Sequence, residues 1–400
     1  MYLQHFQHHW NESCDICGVS RSRSRIPLVI TAIALVTLSL LTPLLLTGCA
    51  GGSDGDNNES QTSQQASSSE GTSADSEGST EFNRDNPATP STAGALQVSG
   101  TQLCAEDGSP VQLRGVSTHG LAWYPQYVNQ SFFQELRNDW NANVVRLSLY
   151  TAESGGYCTD GDDEALYDLV YNGVNYAAEA DLCALVDWHI LSDNNPFQHV
   201  SEAKDFFARM SADLADHTNV LYEICNEPNG ATTWEDITNY ANQIIPVIRA
   251  NDPDAVIIVG TPTWSQEVDK ALEAPLDADN VMYALHFYAA THQQDLRDRL
   301  SVAVDGGLPV FVTEFGICDA SGNGRIDYAS ANAWVELMDD LDVSYICWNL
   351  SNKDEASALF KTSCDKVSGF TKDDLSDEGR WLMDVLHGCL LYTSPSPRDG

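Results

Sequence analysis

Eight short runs rich in β-branched and aromatic residues recur along the chain between residues 111 and 348. Successive runs start 25 to 38 residues apart, which leaves room for a crossover helix between each pair of parallel strands. The runs cover residues 111–116, 144–149, 182–187, 220–224, 256–259, 281–286, 309–313 and 344–348. Eight such units predict an α/β fold, namely one (β/α)8 TIM barrel, with a doubly wound sheet as the alternative.

Polar and aromatic groups that a buried strand would not favour stand at the ends of these runs. They are His119, Arg146, His189, Asn226, Glu227, His286, Glu314 and Trp348. In a barrel the C-terminal ends of all strands meet at one face, so side chains spread over about 230 positions become neighbours. A doubly wound sheet would instead distribute them along a crevice. The pattern therefore favours the barrel.

The first 49 residues resemble a lipoprotein signal segment. Three arginines at positions 21, 23 and 25 precede 21 uncharged residues at 26–46, and the segment ends in LTGC, with Cys49 last. This ending resembles a bacterial lipobox, so we expect a lipid on Cys49. An ordinary signal peptide and an uncleaved anchor are the alternatives. The predicted location is the outside of the cell envelope, anchored by the lipid or otherwise secreted.

The segments on either side of the predicted barrel have different compositions. Residues 50–95 consist largely of Ser, Gly, Asp, Glu, Asn, Gln and Thr, which predicts a disordered linker. The folded domain is expected over residues 96–388. Residues 389–400 resemble the translation of a sequencing adaptor, so we expect them to be foreign to the protein. A further module beyond residue 388 in the intact gene is an open alternative.

The charge balance limits the partners of this chain. It has 58 acidic and 20 basic residues, for a formal net charge of −38. Such a charge argues against binding nucleic acid or an anionic membrane surface, and a lipid is the expected membrane contact. We also expect tolerance of high salt, because salt screens the mutual repulsion of dense carboxylates.

Two glutamates stand at strand ends that face each other across such a barrel. Glu227 follows the fourth run and Glu314 the seventh. Cleavage of an acetal needs one carboxylic acid to protonate the leaving oxygen and one carboxylate to meet the developing cation. Arg146 and Tyr288 could hold Glu314 ionised as the nucleophile, which leaves Glu227 as the acid. A purely structural role for both glutamates is the alternative.

Longer blocks around these residues resemble glycoside hydrolase family 5, and within it the bacterial endo-β-1,4-glucanase (cellulase) branch. The matching blocks are residues 111–125, 144–157, 186–190, 222–230, 257–269, 281–292, 312–316 and 347–359. The resemblance implies a (β/α)8 barrel that hydrolyses internal β-1,4-glucosidic bonds with retention of configuration. It also implies Glu227 as acid/base and Glu314 as nucleophile.

The resemblance extends to other site residues, matched one at a time. The polar shell around the carboxylates is matched by His119, Arg146, His189, Asn226, His286 and Tyr288, and the platform beneath the sugar by Trp348. Substrate contacts farther along the cleft are matched by Trp123, Tyr150, Trp264 and Lys353. Phe315 departs from the family, whose members usually have Trp after the nucleophile. Other tryptophans, at positions 140, 188, 234, 334 and 381, are expected to serve packing.

The resemblance implies a β-1,4-glucan as the partner. We expect no cofactor, no metal and a monomeric chain. Other enzymes of the same family, acting on mannan, xylan or mixed-linkage glucan, are the nearest alternatives, because their chemistry is shared and only cleft contacts differ. A surface lipoprotein that binds glucan without cutting it is a further alternative. The presence of both carboxylates argues against that last reading.

The cysteines permit one disulfide hypothesis. Seven of the 11 cysteines lie between residues 96 and 388, so at least one stays unpaired in a monomer. Cys318 and Cys364 follow the seventh and eighth runs, whose loops would be adjacent on the rim. Because export permits oxidation, a Cys318–Cys364 disulfide is our hypothesis.

Overall fold

The computed structural model describes residues 86–389. The strands in this part of the chain are β1 (Gln97–Ser99), β2 (Gln102–Cys104), β3 (Arg114–Thr118), β4 (Val144–Tyr150), β5 (Cys183–His189), β6 (Val220–Glu223), β7 (Val256–Val259), β8 (Val281–Tyr288), β9 (Val310–Gly316) and β10 (Tyr345–Leu350). Eight parallel strands close into a barrel in the order β10-β3-β4-β5-β6-β7-β8-β9. The (β/α)8 TIM barrel is therefore confirmed, and the doubly wound alternative is excluded.

Helices connect the barrel strands and cover their outer face. They are α1 (Pro90–Ala93), α2 (Gln130–Asn138), α3 (Asp163–Glu179), α4 (Val200–Asp213), α5 (Trp234–Arg249), α6 (Pro262–Ser265), α7 (Val268–Glu273), α8 (Gln294–Asp305), α9 (Tyr328–Asp340) and α10 (Asp377–Leu386), with 3₁₀ turns at Pro125–Tyr127 and Pro196–His199. Side-chain hydrogen bonds to backbone N–H groups cap the first turn of several of these helices. Asn129 accepts a hydrogen bond from Phe132 N at 2.9 Å at the start of α2, a cap that stabilises a helix by about 1 kcal/mol.

Side chains alternate along each strand between the barrel interior and the helix layer. In β4, Val144 belongs to the interior cluster and Val145 to the cluster shared with the helices. Leu96 and Leu103, from the N-terminal segment, join the interior cluster and close the end of the barrel at which the strands begin. Polar side chains are left for the opposite end, where the strands finish.

The N-terminal boundary of the fold differs from the sequence expectation in two ways. The first run was expected at 111–116, but the barrel strand is Arg114–Thr118, because Val111 N bonds Leu103 O at 2.8 Å. In addition, part of the expected linker is folded. Thr89 Oγ1 donates to Asp181 at 2.7 Å just before α1, so the ordered chain begins before residue 96.

The predicted signal segment with Cys49, residues 50–85 of the linker and residues 390–400 lie outside the described residues. Among the helices of residues 86–389, none has both the length and the apolar character needed to cross a membrane. The expected Cys318–Cys364 disulfide is not formed, since both residues are free thiols. Their surroundings differ, because Cys364 packs in the cluster outside the barrel and Cys318 lies within electrostatic range of Glu378.

Candidate active site

The C-terminal ends of the barrel strands bring the predicted residues to one face. Arg146 and Tyr150 lie in β4, His189 ends β5, and Asn226 and Glu227 follow β6. The rest of this face is formed by His119 after β3, His286 and Tyr288 in β8, Glu314 in β9 and Trp348 in β10. Nearly all of these side chains are buried at the base of the rim.

Glu227 and Glu314 form a close pair of carboxylates. One oxygen of each, together with a ring nitrogen of His286, lie within 4.8 Å of one another. Carboxyl groups about 5–5.5 Å apart suit a retaining glycosidase, whereas an inverting enzyme needs about 6.5–9.5 Å to admit a water molecule between them. The short separation therefore suits attack on the sugar by one carboxylate.

Glu314 is held as a carboxylate. Its Oε2 accepts a hydrogen bond from Arg146 Nη1 at 3.0 Å, and its Oε1 accepts one from the Tyr288 hydroxyl at 2.9 Å. Burial alone would raise the pKa of Glu314, but the positive charges of His286 and Arg146 and the hydrogen bond from Tyr288 outweigh it. The pKa of Glu314 lies below its ordinary value, as a nucleophile requires.

Glu227 lies in the opposite electrostatic setting. Burial raises its pKa, and the negative charge of Glu314 adds to the effect, although a hydrogen bond with His286 opposes it. That bond joins Glu227 Oε1 to His286 Nδ1 at 3.0 Å. Two neighbouring carboxyl groups whose pKa values are moved apart are the usual arrangement of an acid/base and a nucleophile.

His286 is also shifted towards its protonated form. Burial opposes protonation, but the interaction with the Glu223 carboxylate and the hydrogen bond with Glu227 prevail and raise the pKa of His286 to about 9. Glu227, His286 and Glu314 could surround a metal ion by distance alone. However, the imidazole nitrogen that faces Glu227 shares a proton with it, whereas a metal would need a free lone pair there. The site suits proton transfer better than metal binding.

An irregularity in β9 sets the direction of Glu314. Ala284 pairs with Phe311 and His286 pairs with Glu314, so β9 has one more residue than β8 between the two pairs. Because of this bulge, the consecutive side chains of Thr313 and Glu314 both reach the site, Thr313 at 2.8 Å from His286 Nε2. Bulges next to active sites commonly redirect a side chain in this way.

Beneath the carboxylates lies a buried ion network that the sequence analysis missed in part. Arg146 is fully buried and binds Asp187 at 3.0 Å and Glu223 at 2.8 Å, in addition to Glu314. Arg146 Nη2 also donates to Asn226 Oδ1 at 2.6 Å. Asp187 and Glu223 fall inside runs assigned to strands, and an acidic residue within an apolar run was the available signal.

Two polar side chains that contact this network, His189 and Asn226, face the sugar site as uncharged groups. Burial and the charge of Arg146 lower the pKa of His189 to about 3. Its Nδ1 lies 2.6 Å from Asp187 Oδ2, and its Nε2 lies 3.2 Å from Asn226 Nδ2. Asn226 is thereby fixed on both sides, by Arg146 and by His189.

Aromatic rings line one side of the site. The Trp348 ring is 6% exposed and stacks with His189 at a centroid distance of 5.4 Å. The ring centroid of Tyr150 lies 4.0 Å from that of His189 and 4.7 Å from that of Trp123. Trp123 is 40% exposed, and its ring lies 5.7 Å from that of His119. Ring faces of this kind fit the apolar faces of sugars.

Lys353 and Trp264 occupy the outer rim. Lys353 Nζ lies 2.7 Å from Glu355 Oε2 and 3.4 Å from His119 Nε2. Trp264, in α6, is 41% exposed, and no ring contact joins it to the other described site aromatics. Its backbone N–H donates to Pro228 O at 3.0 Å, which places Trp264 beside the loop that carries Glu227.

Glu378, a third residue that the sequence analysis missed, lies behind the nucleophile strand. It is fully buried in the first turn of α10. Its Oε1 accepts a hydrogen bond from Ile317 N at 3.0 Å, and the Cys347 thiol lies 3.5 Å away. Burial raises the pKa of Glu378 to about 8, so at neutral pH it is mainly an uncharged acid.

Phe315 faces away from the cleft and packs among aromatic rings. It stacks on Phe287 at 5.1 Å and meets Trp381 edge-on at 6.2 Å. The departure from the usual Trp therefore changes packing between the barrel and its helices. Trp140, Trp188, Trp334 and Trp381 are also buried away from the cleft.

Known proteins are similar to this chain in both sequence and fold. The profile of the family "Cellulase (glycosyl hydrolase family 5)" matches residues 104–354. Endoglucanase A of Butyrivibrio fibrisolvens is 46% identical over 296 residues, which cover 73% of this chain and 68% of the relative. An endoglucanase of Clostridium saccharobutylicum is 45% identical over 302 residues, covering 75% of this chain and 67% of the relative.

A solved structure agrees with these relatives. The catalytic domain of Thermobifida fusca endoglucanase Cel5A, in complex with cellotetraose, is 39% identical and superposes with a TM-score of 0.71 over 75% of this chain and 99% of that domain. The family match spans more than half of the chain, including every barrel strand and both carboxylates. The chain belongs to glycosyl hydrolase family 5, the cellulase family.

Proposed function

We propose that this protein is a retaining endo-β-1,4-glucanase that cleaves internal bonds of cellulose and related β-glucans. The observation that carries the proposal is the pair Glu227 and Glu314, which lie within 4.8 Å and whose pKa values are shifted in opposite directions. The relatives named endoglucanase and the neighbour holding cellotetraose support a glucan as substrate.

In the first step, Glu314 attacks the anomeric carbon of the bound sugar. The bond from that carbon to the glycosidic oxygen breaks as the ester bond to Glu314 forms, and Glu227 gives its proton to the leaving oxygen. Arg146 and Tyr288 hold the attacking carboxylate in place. The outcome is a glycosyl-enzyme ester and a shortened chain with a new hydroxyl end.

In the second step, Glu227 acts as a base. Having lost its proton, it takes one from a water molecule, whose oxygen attacks the same anomeric carbon. The ester bond breaks and Glu314 leaves as a carboxylate. Two displacements at one carbon retain its configuration, and Glu227 recovers its proton for the next cycle.

The rim residues supply binding contacts on both sides of the scissile bond. Trp348, Tyr150 and Trp123 form a continuous aromatic surface, and we assign it to the sugars on the Glu314 side. Trp264 lies beside the Glu227 loop, so we assign it to the leaving-group side. His119, Asn226 and Lys353 offer hydrogen bonds to sugar hydroxyls. These contacts, unlike the carboxylates, determine which polysaccharide binds.

The test is hydrolysis of a panel of soluble polysaccharides, with viscosity and reducing ends measured together. An endo-β-1,4-glucanase should lower the viscosity of carboxymethyl-cellulose well before many reducing ends appear. If viscosity fell only in step with reducing ends, the endo assignment would be wrong. Faster release from mannan, xylan or mixed-linkage glucan would reassign the substrate within the family, and binding without any release would support a non-catalytic glucan-binding protein.

We also propose that the chain is exported and anchored by a lipid on Cys49, and that the folded domain is a monomer. Support for the anchor comes from the sequence LTGC at residues 46–49, where the uncharged run of residues 26–46 ends. Labelling of cells with palmitate should mark the wild-type chain and not Cys49→Ser, and light scattering on residues 86–389 should give the mass of one copy. Equal labelling of both chains would contradict the anchor.

A further inference from the structure

Glu223 ends β6 deeper in the barrel than either catalytic carboxylate. Its side chain is fully buried, so it cannot touch a sugar in the cleft. Burial opposes its ionisation, but the positive charges of Arg146 and His286 and the hydrogen bond from Arg146 hold the pKa of Glu223 at about 2. Both of its oxygens therefore act as hydrogen-bond acceptors.

One oxygen of Glu223 leads to the nucleophile. Glu223 Oε2 accepts from Arg146 Nε at 2.8 Å, and Arg146 Nη1 donates to Glu314 Oε2 at 3.0 Å. A guanidinium group is planar and its N–H directions are rigidly related. Fixing Nε against Glu223 therefore fixes the direction in which Nη1 meets Glu314.

The other oxygen leads to the acid/base. Glu223 Oε1 accepts from the Thr313 hydroxyl at 2.7 Å. Because that hydroxyl donates its hydrogen to Glu223, Thr313 Oγ1 is an acceptor for His286 Nε2, which is 2.8 Å away. His286 Nε2 is thus the nitrogen that keeps its hydrogen, and Nδ1 is left to share a proton with Glu227 Oε1 at 3.0 Å.

We propose that Glu223 is a positioning residue that couples the two catalytic carboxylates. One oxygen orients Arg146 against Glu314, and the other acts through Thr313 to fix which nitrogen of His286 faces Glu227. The bulge in β9 makes the second connection possible, because it brings Thr313 and Glu314 to the site together. The inference rests on the proposed function. It implies that one buried carboxylate, Glu223, influences the pH range in which the reaction proceeds.

Several charged or titratable groups surround Glu223, and the test must separate its effect from theirs. From the packed elements these groups are Arg146 in β4, Asp187 and His189 in β5, Cys225 after β6, His286 in β8 and Glu314 in β9. The adjacent β7 presents Ile258, which cannot titrate. Thr313 is the informative neighbour, because it carries no charge and belongs to only one of the two connections.

The experiment measures kcat and KM against pH for wild type, Glu223→Gln, Thr313→Val and Thr313→Ser. The substrates are soluble cellulose and an aryl cellobioside with a good leaving group. The alkaline limit is the pH above which kcat falls in these profiles. Glu223→Gln removes a negative charge 3.6 Å from His286 Nε2, so the alkaline limit should move to lower pH by about one pH unit or more. Thr313→Val should move it in the same direction by less, and Thr313→Ser should leave it in place.

The two connections differ in their effect on formation of the glycosyl-enzyme. On the aryl cellobioside, which needs little acid catalysis, Glu223→Gln should lower kcat about 10- to 100-fold, with KM unchanged, because a neutral amide with one acceptor oxygen holds Arg146 in line with Glu314 less firmly than a carboxylate does. Thr313→Val should leave this kcat close to wild type. In the double variant, the alkaline limit should match that of Glu223→Gln alone, because Thr313 acts through Glu223.

The inference is overturned if the alkaline limit stays in place in both variants, or if the effects of the two substitutions add. A merely structural role would lower kcat at every pH and leave the limits unmoved. If Glu223→Gln failed to fold by circular dichroism, the comparison of Thr313→Val with Thr313→Ser would decide the second connection. Inactivity of wild type on both substrates would refute the proposed function, whereas an active wild type with unmoved limits refutes only the coupling.

Discussion

Replacing Glu378 by Gln should make the free energy of unfolding less sensitive to pH. The buried acid has a pKa of about 8 in the folded chain, against an ordinary value of 4.5. Between these two values the folded state holds a proton that the unfolded state has released. Stability supported by this proton is therefore fully present below pH 4.5 and is lost as the pH rises through about 8.

The structure sets the size of this effect. Each pH unit well inside the interval from 4.5 to about 8 costs the folded state about 1.4 kcal/mol, and less near either end, so the contribution falls by about 3 to 4 kcal/mol between pH 5 and pH 8. Gln cannot titrate, and its carbonyl can still accept the hydrogen bond from Ile317 N. Relative to wild type, Glu378→Gln should therefore gain about 3 to 4 kcal/mol of stability over that interval.

Urea unfolding of both chains at several pH values, followed by circular dichroism, measures this gain directly. Glu235→Gln is the matched control, because Glu235 also lies in the first turn of a helix but is exposed to solvent. The control should follow the wild-type pH profile. If the curves of Glu378→Gln and wild type ran parallel from pH 5 to pH 8, the assignment of a neutral buried acid would be refuted.

Three further predictions concern catalysis and charge. Glu314→Ala should lower turnover about 10⁴-fold or more on every substrate, because no other group can form the glycosyl ester; a smaller loss in steady-state assays would count against the nucleophile assignment. Glu227→Ala should slow soluble cellulose about 10²- to 10⁴-fold but spare glycosylation by activated aryl glycosides, and azide should restore its turnover; equal losses on both substrates would reverse the roles. Because the formal charge is −38, melting temperature should rise with sodium chloride; equal melting in dilute and molar salt would contradict this.

The spacing of the runs was sufficient to predict the barrel and to bring Glu227 and Glu314 to one face, whereas the roles of the two carboxylates were implied by the family resemblance. Eight buried parallel strands produce apolar runs at crossover distance, and every run ends at the same face. The first strand was placed too early, since Val111 is apolar for another reason, namely its pairing with the N-terminal hairpin. An apolar run indicates burial, but it does not indicate which partner buries it.

Other features depend on contacts between residues that are distant in the sequence, and the spacing of the apolar runs does not reveal these contacts. Glu223 and Asp187 belong to strands, and only the position of Arg146 explains why acids are buried there. Glu378 is supplied by a helix far along the chain, and its neighbours become known only when that helix is docked. The Cys318–Cys364 hypothesis assumed that adjacent loops bring thiols together, whereas the direction of each side chain decides this.

Because of the bulge in β9, the position of the nucleophile depends on the extra residue in this strand as well as on the residue types. In a regular strand, Thr313 and Glu314 would point to opposite faces, and Glu314 would turn into the helix layer that Val312 and Phe315 occupy. If β9 paired regularly from Phe311 onward with no residue removed, Glu314 would turn outward and Phe315 inward, so an aromatic ring would replace the carboxylate at the cleft although every residue of the motif were still present. Transplanting this site into another barrel requires copying an irregular strand together with its side chains.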